Sequence, residues 1–103
     1  MRSHYEHALP LEWVPMSKVF SALGDEQRQR ILLLFERGER LNISRIVAAS
    51  PLSRTAITHH LRVLHDVGVL RSEKVGKEVF FWIDTAYVTE AVGSVLAYIQ
   101  DNL

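Results

Sequence analysis

Cysteine is absent from all 103 residues. That removes disulfides, thiolate-bound metals, redox switching at sulfur and cysteine nucleophiles together. Long apolar runs are missing too, and no stretch approaches the roughly 18 uninterrupted apolar residues needed to cross a bilayer. The opening MRSHYEHALPLEW puts His and Glu where a secretory signal needs an apolar centre, so a cytoplasmic chain is expected. There is no glycine-rich phosphate loop, no paired carboxylate framing a cleft and no nucleophile–base pair. The sequence is therefore not read as an enzyme, and no cofactor is expected. An excess of charge of either sign is also lacking: 12 Lys and Arg balance 12 Asp and Glu. At first sight that disfavours a nucleic-acid partner.

The balance hides a segregation. Residues 45–77 carry six basic side chains (Arg45, Arg54, Arg62, Arg71, Lys74, Lys77) against Asp66 and Glu73, a local excess of +4. Residues 78–103 carry no Lys or Arg and four acids, Glu78, Asp84, Glu90 and Asp101. A chain divided in this way is able to show a positive face to phosphate while staying neutral overall.

Length predicts one domain over residues 1–103. Residues 1–15 are interrupted by Pro10 and Pro15 and read as a loose arm or a short, interrupted helix. Met16, Val19, Phe20 and Leu23 recur at helical spacing up to Gly24. Asp25 is a good N-cap for a second helix, with Ile31, Leu32, Leu34 and Phe35 inward and Gly38 at its end. A short helix over 43–49 follows, then a turn at Ser50–Pro51–Leu52. Ser53 caps the next helix, which runs to about Val67 on an apolar stripe of Ile57, Leu61 and Leu64 and closes at Gly68. Beyond it the period becomes extended. Val69–Lys74 and Val79–Ile83 read as a hairpin around the turn 75–78. A last helix occupies 84–103. The expected fold is mainly α with a small β-hairpin, in the order α-α-α-α-β-β-α.

Two short helices joined by a tight turn and followed by a hairpin give the winged helix-turn-helix order, with the helix-turn-helix at 43–67 and the wing at 69–83. A helix that reads DNA needs an apolar face to anchor it and a short polar face to reach bases and phosphates. Ile57, Leu61 and Leu64 supply the first. Ser53, Arg54, Thr55, Thr58, His59 and Arg62 supply the second without a carboxylate. Arg54, in the first turn, suits guanine O6 and N7; Lys74 and Lys77 flank the wing tip and suit backbone phosphate. The expected partner is a double-stranded DNA operator. His59 and His60 are adjacent, so they point about 100° apart and do not converge on one ion. His59 is expected to face DNA, His60 to pack at the edge of the core or bond the scaffold, and His65 to be solvated. Titration of the pair near neutrality predicts DNA binding that strengthens as pH falls from about 7.5 to 6.

These residues carry a resemblance. Ala22–Leu23–Gly24–Asp25 with Arg28 and Arg30–Ile31–Leu32, then SRTAITHHLRVL over 53–64, are similar to the ArsR-type (arsenical-resistance repressor-like) family of bacterial transcription regulators. Gly68–Val69–Leu70–Arg71, Gly76–Lys77 and Val79–Phe80–Phe81–Trp82–Ile83 resemble its wing. The resemblance implies a homodimer joined through the first and last helices that represses a promoter until an effector binds. A last helix apolar on two faces points the same way, because one small domain cannot bury both. Val19, Val88, Val92, Val95, Leu96 and Ile99 are the expected dimer contacts. Two recognition helices about 34 Å apart would then meet an inverted-repeat operator.

The sequence departs from the family where the family binds metal. Leu41–Val47 has no cysteine pair, Ala86 stands where a histidine would be wanted, and Glu90, Ser94, Gln100 and Asp101 add none. His4 and His7, three apart, are a minor candidate pair for Zn²⁺ or Ni²⁺ if their segment is helical. A non-thiol effector remains open. The competing reading is a winged-helix module for protein contacts without DNA binding, which neutral net charge favours.

Overall fold

A computed structural model describes residues 1–103. Its elements are α1 (Trp13–Leu23), α2 (Glu26–Leu32), β1 (Leu41–Asn42), α3 (Ile43–Ala49), α4 (Arg54–Asp66), β2 (Leu70–Val75), β3 (Glu78–Ile83) and α5 (Thr85–Asn102). The mainly α reading holds, but the β part is larger than a hairpin: β1 adds a third strand in the antiparallel order β1-β3-β2. Two residues carry no periodicity of their own. Their strand exists only because Leu41 and Asn42 pair with Phe81 and Phe80.

Two helix boundaries differ from expectation. α1 begins at Trp13, so Pro15 lies inside its first turn, where a missing N–H costs nothing. α2 stops at Leu32 rather than continuing toward Gly38. Tight turns follow, with the amides of Leu34 and Phe35 donating to the carbonyls of Ile31 and Leu32. Leu33 is thereby left exposed while Leu34 and Phe35 still pack on the core. The 36–39 turn closes at Gly38, whose φ of +70° suits glycine.

The expected caps Asp25 and Ser53 are joined by two others, Asp84 and Asn42. Asp25, Ser53 and Asp84 each accept from the backbone N–H three residues on, at 3.1 Å. Asn42 does the same for Arg45 at 2.9 Å. Each such cap stabilises its helix by about 1 kcal/mol.

One apolar cluster joins Val19 and Ala22 of α1, Ile31, Leu41, Ile46, the α4 stripe, Val69, Leu70, Phe81 and Ala91. Ile57, Leu61 and Leu64 are at most 1% exposed, so each contributes about 1.5–3 kcal/mol of burial. Gly68 aims the wing relative to α4. Its amide donates to His65 and that of Val69 donates to Leu64, at 3.1 and 3.0 Å, which is the Schellman termination. Only glycine suits the place: φ is +87°, and a Cβ would lie 2.8 Å from the Tyr87 ring. Gly76, φ +61°, opens the two-residue turn Gly76–Lys77 between β2 and β3. That turn is two residues shorter than the four expected.

Candidate nucleic-acid interface

α4 presents its anchor inward and its polar residues outward. Arg54, Thr55, His59 and Arg62 are exposed, and Thr58 is half-buried. Ser53 is exposed but its Oγ is engaged as the cap. No carboxylate interrupts the helix before Asp66.

The polar residues divide between two clefts under the wing. Thr58 and Arg62 line one of about 210 Å³ together with Ile43, His65, Ser72 and Phe81. Arg54 and Lys77 line another of about 170 Å³ with Asn42, Ser44 and Glu78. Residues Thr55 and His59 line neither. The wing tip therefore lies over the start of α4, and the wing strand β2 over its later turns.

Strand register assigns the wing's faces. Ser72 and Lys74 pair with Phe81 and Val79, whereas Arg71 and Glu73 pair with Trp82 and Phe80. Phe81 is in the core, so Ser72 and Lys74 share the face directed at α4. Sequence reasoning had Lys74 and Lys77 flanking the wing tip. The fold separates them: Lys74 is on the inner face and Lys77 is in the turn. Both are fully available, with no ion-pair partner.

Several contacts that sequence reasoning did not anticipate shape this surface. Arg54 Nη2 donates to Ser44 Oγ at 2.9 Å, which orients the guanidinium from the supporting helix. Arg45 is exposed in the first turn of α3. His65 is not simply solvated: Nε2 lies 3.1 Å from Ser72 Oγ, its ring meets the edge of Phe81, and Nδ1 is 3.7 Å from Asp66. It pins β2 to α4. The wing's acids are tied down. Arg40 binds Glu73 at 2.7 Å while its guanidinium sits 3.9 Å over the Trp82 ring, and Asn42 Nδ2 donates to Glu78 at 3.0 Å. Arg45 had a signal as part of the basic segment, and the serines at 44 and 72 had a weaker one as short polar residues beside an arginine.

His60 faces the scaffold, 3.4 Å from Arg28 Nη1. Burial lowers its pKa below the usual histidine value, with Arg28 and His59 adding to the effect and Asp25 opposing it. Acidification from 7.5 to 6 therefore does not charge His60 as an exposed histidine would be charged, and the expected gain in DNA binding has only His59 to rest on. Asp25 is held below the usual carboxylate range, chiefly by the backbone N–H of Arg28.

The opposite end of the molecule is apolar. On α5 the half-buried Tyr87, Val88, Val95 and Tyr98 and the buried Ala91 turn toward the domain. Val92, Leu96 and Ile99 are 38%, 53% and 47% exposed and form an outward stripe at i, i+4 and i+7. Val19 is fully buried within the protomer, so as a dimer contact it is corrected: its helical face belongs to the core. Val88 and Val95 lie on the flank of the stripe. α1 packs beside α5, with Trp13 edge-on to Tyr98 at 5.2 Å.

His4 and His7 lie in a segment without helix, so the spacing that would bring them to one face does not apply. His4 approaches Glu6 at 3.9 Å, and no three metal-ligating side chains come together anywhere in the chain. No helix is long and apolar enough to cross a membrane.

This geometry agrees with what the chain is similar to. The family profile described as "Bacterial regulatory protein, arsR family" matches residues 25–72, which hold α2, the helix-turn-helix and the start of the wing. A transcriptional repressor SmtB homolog of Synechocystis sp. is 29% identical over 87 residues, which are 84% of this chain and 65% of that relative. The chain thus spans slightly less than two-thirds of that relative's length. An ArsR-like transcriptional regulator from Rhodococcus sp. RHA1 superposes with a TM-score of 0.79 at 29% identity, over 87% of this chain and 84% of that one. The fold is also that of a winged helix-turn-helix domain from Mycobacterium bovis described as homodimeric and DNA-binding, with a TM-score of 0.71 at 19% identity over 99% and 94% of the chains. The relatives are transcriptional regulators, not enzymes. The chain is thus similar to the ArsR family of bacterial regulatory proteins, and its fold is the winged helix-turn-helix.

Proposed function

We propose that this chain is a cytoplasmic, homodimeric, DNA-binding transcriptional repressor that reads an inverted-repeat operator with α4. The observation that carries the reading is the acid-free outer face of α4, continued by Lys74 and Lys77 of the wing. Arg54, preset by Ser44, suits guanine in the major groove. Ser53, Thr55, Thr58 and His59 have the reach for base edges or phosphate, and Arg62, Lys74 and Lys77 suit the backbone. That Glu73 and Glu78 are bonded to Arg40 and Asn42 fits a wing meant to approach phosphate. The relatives named above support repression and DNA binding, since one is called a repressor and another a homodimeric DNA-binding domain.

The dimer reading rests on Val92, Leu96 and Ile99, with Val88 and Val95 beside them. Three large apolar side chains in line on one exposed helix face call for a cover, and a second copy meets like with like across a twofold axis. Release by a non-thiol effector completes the proposal.

The test is binding to duplexes selected from a random-sequence pool, measured across salt. A dimer neutralising several phosphates loses about 10³–10⁵ in affinity between about 50 and 200 mM salt. Absence of salt-dependent binding would sink the reading and leave the protein-contact module.

A further inference from the structure

A partly buried polar junction lies away from the DNA face and plays no part in the reading above. Arg28 of α2 has a side chain only 14% exposed. Its Nε donates to the carbonyl of Ala22 at 2.7 Å, and Nη2 donates to that of Ser21 at 3.5 Å. Both carbonyls lie in the last turn of α1, and that of Ser21 also accepts from the Gly24 N–H at 3.3 Å. Nη1 lies 3.4 Å from His60 Nδ1 and 3.9 Å from Asp25 Oδ2. One guanidinium therefore joins the end of α1, the cap of α2 and the middle of α4. Guanidinium has donors only, so at this junction His60 Nδ1 must be the acceptor and the imidazole neutral.

We propose that Arg28 and His60 are a positioning pair that holds the recognition helix against the end of α1, and that protonation of His60 loosens this hold and weakens DNA binding. The proposal rests on the DNA-binding reading given above. A proton at Nδ1 would turn two partners into two donors, and would set a second positive charge beside Arg28. The charged and titratable groups acting on His60 are Asp25 and Arg28 from α2 and His59 from its own helix; α1 presents backbone carbonyls. Asp25 alone favours the proton, but it is already occupied by the N–H of Arg28 as the helix cap. Burial of the ring works in the same direction as Arg28. Because α1 lies beside the α5 stripe proposed as the subunit contact, the junction sets α4 relative to the dimer axis, and so affects the spacing of the two reading helices.

The sign separates the two neighbouring histidines. Protonating His59, on the outer face, adds a cation toward phosphate and strengthens binding; protonating His60 weakens it. Affinity for a duplex selected from a random pool is measured at constant ionic strength between about pH 7.5 and 5.5, each variant normalised to its own value at the higher pH. In H59Q the affinity is expected to fall about three- to tenfold on acidification, because at most tenfold accompanies each pKa unit separating bound and free forms. In H59Q/H60Q, where Gln keeps an acceptor for Arg28 without a proton to gain, the profile is expected to be flat. A flat profile in H59Q, or an equal fall in the double variant, overturns the release. Independently of DNA, NMR titration of the His60 imidazole is expected below the ordinary histidine value of 6.5, and to move up in R28M, which keeps the stem and removes the charge. An unmoved His60 titration overturns the pair. If the wild-type protein binds no DNA at any pH, the release fails with the function proposed above, while the imidazole titration still decides the contact.

Discussion

The outward faces of α4 and α5 answer opposite demands on the same small domain. α4 turns Ile57, Leu61 and Leu64 fully inward and shows Arg54, Thr55, His59 and Arg62. α5 is only loosely divided: Ala91 is its one buried residue, and Val92, Leu96 and Ile99 stand on the open side. A face that is polar and free of carboxylates is ready for a polyanion in water. A face that is apolar and exposed has not finished folding until something covers it. Burial by itself thus separates a helix whose apolar face its own domain covers from one whose apolar face is left open.

The largest effect should come from the α5 side. Leu96→Glu puts a charge into the proposed subunit contact without touching the protomer core. It should leave the circular-dichroism spectrum intact, convert the sedimenting species to monomer and reduce DNA affinity by orders of magnitude. An unchanged sedimentation coefficient would refute the interface. Next is the anchor of α4. Leu61→Ala should destabilise the fold by about 2–5 kcal/mol in denaturant titration, a cost not expected at the exposed Leu96. If the two positions cost the same, the contrast between the faces is wrong.

The reading face should respond more mildly. Arg54→Ala should cost about 1–3 kcal/mol of DNA binding and relax base preference at one position per half-site. Ser44→Ala should reproduce a smaller part of that loss, because the guanidinium is kept but no longer oriented. Lys77→Ala should weaken all sequences alike and lower the salt slope by about 1; altered base preference would instead displace the wing from the backbone.

The smallest effect concerns pH and stability. His60 has a folded pKa below its ordinary 6.5, so its contribution is complete above that value and is lost as pH falls below it. Asp25, lowered from 3.8, contributes in full above that value and loses its contribution in stronger acid. Melting temperature should therefore decline in two stages on acidification, and H60Q should remove the upper one.

Much of the reading face was legible because its signals are local. The Ser53 cap, the stripe Ile57–Leu61–Leu64, the close at Gly68 and the run Val79–Ile83 each depend on neighbours within a turn or a strand. The shorter α2 was not legible, since Leu34 and Phe35 are apolar at helical spacing and still reach the core from a turn. β1 was hidden for a different reason. Leu41–Asn42 becomes a strand only when β3, nearly 40 positions away, lies beside it.

Sequence by itself determined the fold class, the amphipathic pattern of α4, the hairpin and the family resemblance, because periodicity, capping and charge placement are properties of short segments. Tertiary structure alone decided which apolar residues are free. Val19 and Val92 are alike in chemistry, yet the first is wholly buried by its own domain and the second is not. It also decided that Ser44 holds Arg54, that His65 holds Ser72, and that His60 meets Arg28. Those assignments depend on which elements meet across the core, a long-range outcome of packing that no local pattern records.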